Sequence, residues 1–246
     1  MEGLKLDPVR PDIKKIIGPY LKTLLEIHKD NIISIVLYGS ATGNDFSHKS
    51  SDINLLVVFK ELDFPQLNRS LKLVSGGMQK KIAAPLFLSL AHIDTSKDVF
   101  PIEFMEIKEN NTVLYGRDLF RDIQIDQKHI ELFCEQQIKG KLIRLRQAYL
   151  EVGLKKKGIE ALMKESLYGL MPVFRAMLRV KGVLPLINKE GILKQLADSF
   201  ALDRDAFIAI LKDRKDDEKI AGQDVGVYFE KYIAEIKKLA IAADRL

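Results

Sequence analysis

The chain has 246 residues and a mass of 28.0 kDa, with 47% hydrophobic and 30% charged side chains, which is the composition of a folded globular protein and excludes a disordered one. A single cysteine, Cys134, excludes an internal disulfide and a cysteine-based zinc cluster. No apolar stretch has the length of a signal core or a membrane span, so a cytoplasmic protein with no membrane partner is expected.

Residues 11–29 carry Ile13, Ile16, Ile17, Tyr20, Leu21, Leu24 and Leu25 at helical spacing, which predicts an amphipathic helix. The run at 32–38 is short, rich in β-branched residues and apolar on both faces, as a buried strand is. A loop rich in Gly, Ser, Asn and Asp covers 39–51, and a second buried strand at 53–59 should pair with the first. A helix is expected from 64 to 82, with a break near Gly76-Gly77. A third strand is read at 84–90, a short helix at 93–99, a fourth strand at 100–107, and a short strand or bend at 112–116.

Past residue 118 strand-like runs give way to helical patterns at 126–151, 156–181, 189–199, 203–213 and 224–244, with Pro172 kinking or splitting the second. The predicted architecture is α+β: a mixed β-sheet flanked by helices over 1–120, followed by an all-α helical bundle over 121–246. Charge follows the same division. Residues 1–120 hold 15 basic and 15 acidic side chains, whereas 121–246 hold 24 and 19, so the excess of cations lies in the helical half.

The chemically informative segment runs from Tyr38-Gly39-Ser40 to Ser51-Asp52-Ile53-Asn54. A buried strand delivers Gly39, whose missing Cβ lets a ligand approach the backbone, and Ser40, whose hydroxyl can bond a phosphate oxygen. Twelve residues lie between Gly39 and Asp52. Alternation along a strand then places Asp52 and Asn54 on one side, where both could reach a single cation. Two oxygen ligands completed by nucleotide phosphates are a common way to hold Mg²⁺.

This order of strand, Gly-Ser, loop and Asp-x-Asn resembles the nucleotidyltransferase superfamily, which includes DNA polymerase β, kanamycin nucleotidyltransferase and the minimal nucleotidyltransferases. Gly39, Ser40, Ser51, Asp52 and the apolar run from Leu55 to Val58 match, while Asn54 stands where the family has a second carboxylate. The resemblance implies a two-metal Mg²⁺ site, here weakened. It implies Asp52, Asn54 and Glu103 as metal ligands, with Asp52 and Glu103 catalytic and Gly39, Ser40 and Ser51 on the nucleotide. Glu106 is the alternative to Glu103, the two being read on opposite faces of the strand at 100–107. The implied reaction moves a nucleoside monophosphate from an NTP to a small-molecule or protein acceptor. The competing expectation is a degenerate relative that binds nucleotide or a protein partner.

Other features carry blander readings. His48 and Lys49 lie in the loop and could face a triphosphate, but solvated side chains are the favoured reading. His28, His92 and His129 have no ligand spacing and read as helix-end or surface residues. Seven cations between 139 and 157, against Glu151 alone, read as a solvated helix face, so nucleic acid is disfavoured as a partner. Tyr168, Met171, Phe174 and Met177 read as core packing. No histidine follows His129, which argues against an Arg-His ribonuclease site in the helical half. A homo-oligomer is compatible with this reading.

Overall fold

The computed structural model describes residues 3–43, 46, 51–186, 188–215 and 217–246. It divides into two compact units, Met1–Ile125 and Asp126–Leu246. No helix among the described residues is long and apolar enough to cross a membrane.

The first unit is a four-stranded mixed sheet with helices on both faces. Its elements are α1 (Pro11–His28), β1 (Ile32–Tyr38), β2 (Asn54–Phe59), α2 (Phe64–Met78), β3 (Leu86–Ser89), α3 (Leu90–Thr95), α4 (Pro101–Glu109) and β4 (Asn111–Gly116). The strand order is β3-β2-β1-β4. β1 is central and pairs antiparallel with β2 and β4, while β3 runs parallel to β2.

Alternation explains why both sheet faces are covered. Ile35, Leu37, Leu55, Val57 and Phe59 point to one face and pack with Ile13, Ile17, Leu21 and Leu24 of α1. Val36, Leu56 and Val58 point to the other and meet Leu88, Ile93, Phe104, Ile107, Phe120 and Ile123. Burying each such side chain contributes roughly 1.5–3 kcal/mol, so the unbroken apolar runs of β1 and β2 are what make this pair the fixed centre of the unit.

Two helices differ from the sequence reading. The segment read as a fourth strand at 100–107 is α4, so the sheet strand on that side of β1 is instead β4. Pro101 fills the first helical position, where its missing N–H costs nothing, and Pro101, Ile102, Phe104, Met105 and Ile107 are buried at helical spacing. Helix α2 ends at Met78, one residue past Gly77, where the break was expected, and so stops short of residue 82. A Cβ at Gly77 would stand 2.7 Å from the Tyr20 ring, so this glycine lets the last turn of α2 lie against α1.

The second unit is helical: α5 (Gln127–Val152), α6 (Lys156–Val180), α7 (Lys189–Phe200), α8 (Asp205–Arg214) and α9 (Val225–Ala243). α6 runs unsplit through Pro172 and buries Met171, Phe174 and Met177. Tyr168 is not core: it is half-buried, with the Arg214 guanidinium 3.8 Å and the Lys189 ammonium 5.1 Å from its ring centre. Buried Asp213 is held by Lys164 at 2.8 Å and Lys219 at 3.5 Å, and the buried Tyr232 hydroxyl donates to Ser166 at 2.9 Å.

Candidate functional site

β1 ends at Tyr38 and the chain turns at once into a single 3-10 turn, Gly39–Thr42. Gly39 has φ +75°, a left-handed conformation that costs an L-residue roughly 1–2 kcal/mol. Three bonds fix the turn. The Gly39 N–H donates to the Asn110 carbonyl at 3.3 Å, the Thr42 hydroxyl donates to the Gly39 carbonyl at 2.8 Å, and the Gly43 N–H donates to the Ser40 carbonyl at 3.3 Å. Ala41 is buried beneath it, while Ser40 is half-exposed and its hydroxyl has no partner among the described residues.

β2 begins on the same rim of the sheet, because Tyr38 is paired with Asn54. The Asn54 amide nitrogen lies 3.3 Å from the point where a Cβ on Gly39 would stand. Glycine therefore brings the Asn54 side chain against the Gly-Ser backbone. Ahead of it Ile53 is fully buried and clamped, its N–H donating to Lys81 O at 2.8 Å and its carbonyl accepting from Ala83 N–H at 3.0 Å. Asp52 is exposed and Asn54 half-buried on either side of that anchor, with Asp52 just before the strand. Ser51 is half-buried beside it.

Glu103 is placed differently from the sequence reading. It lies in the first turn of α4, so Glu103 and Glu106, three residues apart on a helix, share a face instead of pointing to opposite sides. Partial withdrawal of the carboxyl from water, with repulsion from Glu106, raises the Glu103 pKa, while a backbone hydrogen bond opposes the rise. The part of α4 that reaches the rim is its carboxyl end. Asn110, which follows it, accepts from Gly39, and about 10 Å of helix rise separates Glu103 from Asn110. None of the four strands carries a carboxylate, and no three Asp, Glu, His or Cys side chains form a metal cluster among the described residues.

The donor set at the rim is thus one carboxylate, Asp52, one neutral amide, Asn54, and the Ser40 hydroxyl. That set suits Mg²⁺ only with ligand oxygens supplied by a bound phosphate, since this ion keeps near-octahedral oxygen coordination and is commonly held by one or two carboxylates plus substrate.

Asn110 and Asn111 are site-forming residues that the sequence reading did not single out. Asn111 pairs with Tyr38 on β4, and its side-chain amide caps α4 by donating to Ile107 O at 2.9 Å and Lys108 O at 3.3 Å. Tyr38, between Asn54 and Asn111, is half-buried, and burial raises its pKa. The only sequence signal was an Asn pair following a run of charged residues, which marks a turn but not what it touches.

His48 and Lys49 lie outside the described residues. His28 closes α1, buried, with Nε2 2.8 Å from the Ser70 hydroxyl. In the stretch 139–157, Leu142 and Leu145 are buried, Lys139 is paired with Glu135 and Asp244, and Arg144, Arg146 and Lys155 to Lys157 face solvent.

No family model matches the sequence, and no curated protein matches it significantly. Among solved structures the chain is similar to spectinomycin adenyltransferase AAD(9) from Enterococcus faecialis, crystallised with ATP and spectinomycin. The TM-score is 0.58 at 13% identity, over 91% of this chain and 99% of that one. The likeness shows a shared fold across nearly the whole of both chains, a mixed-sheet unit followed by a helical one.

Proposed function

We propose that this protein is a Mg²⁺-dependent nucleotidyltransferase that moves a nucleoside monophosphate from an NTP to a hydroxyl of a small-molecule acceptor. The observation that carries the reading is the left-handed Gly39 turn set on the same sheet rim as Asp52 and Asn54. The shared fold with an adenyltransferase crystallised with ATP and spectinomycin supports a nucleotide and a small acceptor.

In this reading the Gly39 backbone and the Ser40 hydroxyl hold phosphate oxygens. Asp52 anchors the cation, with Asn54 adding a neutral oxygen. The ion, when bound with the nucleotide, neutralises charge developing on the phosphates. The acceptor oxygen forms a bond to the α-phosphorus, the bridging bond to the β-phosphate breaks, and pyrophosphate leaves with the bonding pair. The hydroxyl proton passes to the Asp52 carboxylate or to water. Asn54 removes one negative charge from the site and cannot act as a base, so metal affinity and rate are lowered together. Glu103 is left out of the inner set because of its place on α4.

The test is transfer of label from each α-labelled NTP, with Mg²⁺ or Mn²⁺, to spectinomycin, related aminocyclitols and cell extract. Transfer lost in Asp52→Ala and retained in Glu103→Gln is the expected result. Nucleotide affinity unchanged by Asp52→Ala would sink the assignment.

One observation favours a second reading. With Asn54 at the family's second acid position and no carboxylate on the strands, the rim is suited to binding a nucleotide without turning it over. The wild-type chain would then bind ATP but transfer no label, and Asn54→Asp would raise Mg²⁺ affinity.

A further inference from the structure

The left-handed turn after β1 is tied at its entry to helix α4. The Gly39 N–H donates to the Asn110 carbonyl at 3.3 Å, and the Asn110 N–H donates in turn to the Glu106 carbonyl at 3.0 Å. Asn110 is therefore a link between the last turn of α4 and the first residue of the Gly-Ser turn. The side chain that follows it holds the link in place. A helix end leaves its last carbonyls without intrahelical donors. Here the Asn111 side-chain amide donates to two of them, Ile107 at 2.9 Å and Lys108 at 3.3 Å, while Asn111 itself is paired in the sheet with Tyr38, the residue before Gly39. One residue thus grips α4 with its side chain and the end of β1 with its main chain. The carbonyl that receives Gly39 belongs to its immediate neighbour.

From this geometry we infer that Asn111 is a positioning residue for the phosphate subsite, acting through Asn110 and Gly39 and not on the ligand itself. The inference rests on the rim reading, in which Gly39 and Ser40 hold phosphate oxygens. Without the amide, the Ile107 and Lys108 carbonyls lose their side-chain donor and the last turn of α4 frays, so the Asn110 carbonyl no longer has a fixed direction. Gly39, at φ +75°, has no Cβ to resist the change and follows it. The half-exposed Ser40 hydroxyl is then spread over several orientations, and a phosphate must order the turn before binding it.

The test uses the full chain and three variants. Asn111→Ala removes the amide. Asn111→Asp keeps its shape but presents only acceptors to the two carbonyls. Ile93→Val controls for general loss of stability: Ile93 is buried in α3, which follows Ser89 of β3, and Ser89 pairs with Phe59 at the end of β2 away from the rim. Hydrogen exchange of the Gly39 amide is followed by NMR without nucleotide, relative to amides in the middle of β1, and the affinity for ATP with Mg²⁺ is measured by calorimetry. In both Asn111 variants Gly39 should exchange about tenfold faster on that scale and ATP affinity should fall about tenfold, the order expected for one lost hydrogen bond. Ile93→Val should leave both at their wild-type values. Unchanged Gly39 exchange or unchanged affinity in Asn111→Ala overturns the positioning role and leaves the rim reading standing, as does an Asn111→Asp chain that behaves like wild type. A fall in affinity matched by Ile93→Val overturns it as a general effect of stability. A wild-type chain that binds no ATP, with Gly39 exchange still dependent on Asn111, overturns the rim reading and the phosphate role with it.

Discussion

Replacing Gly39 by alanine tests the turn on which the candidate site rests. Alanine at φ +75° costs roughly 1–2 kcal/mol. The added Cβ would also stand 3.3 Å from the Asn54 amide nitrogen, which must yield by a few tenths of an ångström. A 125-residue unit unfolds with an entropy near 0.26 kcal/mol/K, at about 2.1 cal/mol/K per residue, so each kcal/mol is worth about 4 °C. Gly39→Ala should therefore lower the melting temperature of the first unit by about 4–8 °C. Native-state hydrogen exchange of the β1 and β4 amides should report the same loss, because it reads that unit alone. Gly39→Asn adds the same Cβ, but asparagine tolerates the left-handed region and should recover about half the loss. Both variants should bind ATP more weakly, since either Cβ projects beside the backbone assigned to phosphate. Stability equal to wild type in Gly39→Ala would refute the requirement for a left-handed residue. Equal losses in Ala and Asn would assign the cost to crowding of Asn54.

The Tyr20 hydroxyl is buried without a hydrogen-bond partner among the described residues, and burial pushes its pKa up to about 12. Tyr20→Phe removes an unsatisfied polar group and should stabilise the protein by about 1 kcal/mol; a lower melting temperature would show that the hydroxyl is bonded in solution. For His28, burial and then the nearby Arg69 lower the pKa from 6.5. The unfolded chain therefore takes up this proton first as pH falls. Stability from neutral His28 should be complete above pH 6.5 and lost as pH falls towards the lower folded value. Urea unfolding between pH 8 and 5 should show that slope, and His28→Gln should flatten it; an unchanged slope would remove His28 as its source.

How much of this was legible in the sequence depended on whether one force decided each element. β1 and β2 were legible because continuous β-branched runs have only one economical fate, a strand buried on both faces. The Gly-Ser turn and Asp52 followed from them, since two adjacent antiparallel strands must place the end of one beside the start of the next. Residues 101–109 were not legible in the same way. Ile102 and Phe104, then Met105 and Ile107, alternate like strand residues, while Pro101, Phe104 and Met105 fit a helix turn equally well. Pro101 at a helix start was the deciding signal, and its force appears only once β4 is known to supply the strand beside β1. Glu103 moved with that reassignment. Gly76-Gly77 did mark the end of α2, but propensity alone could not show the second use of Gly77, its close approach to Tyr20.

The segment before α1 seals one border of the sheet. β4 is an edge strand, and the Lys5 N–H donates to its Leu114 carbonyl at 2.8 Å while the Lys5 ammonium bonds the Gly116 carbonyl at 2.8 Å. Leu4 and Leu6 pack on the core beside it, and Val9 is buried. These few residues shield acceptors that would otherwise invite a foreign strand, and the lysine adds a charge that repels stacking. Trimming them would trade a sealed border for an adhesive one, so shortened versions of this chain should clump before they unfold.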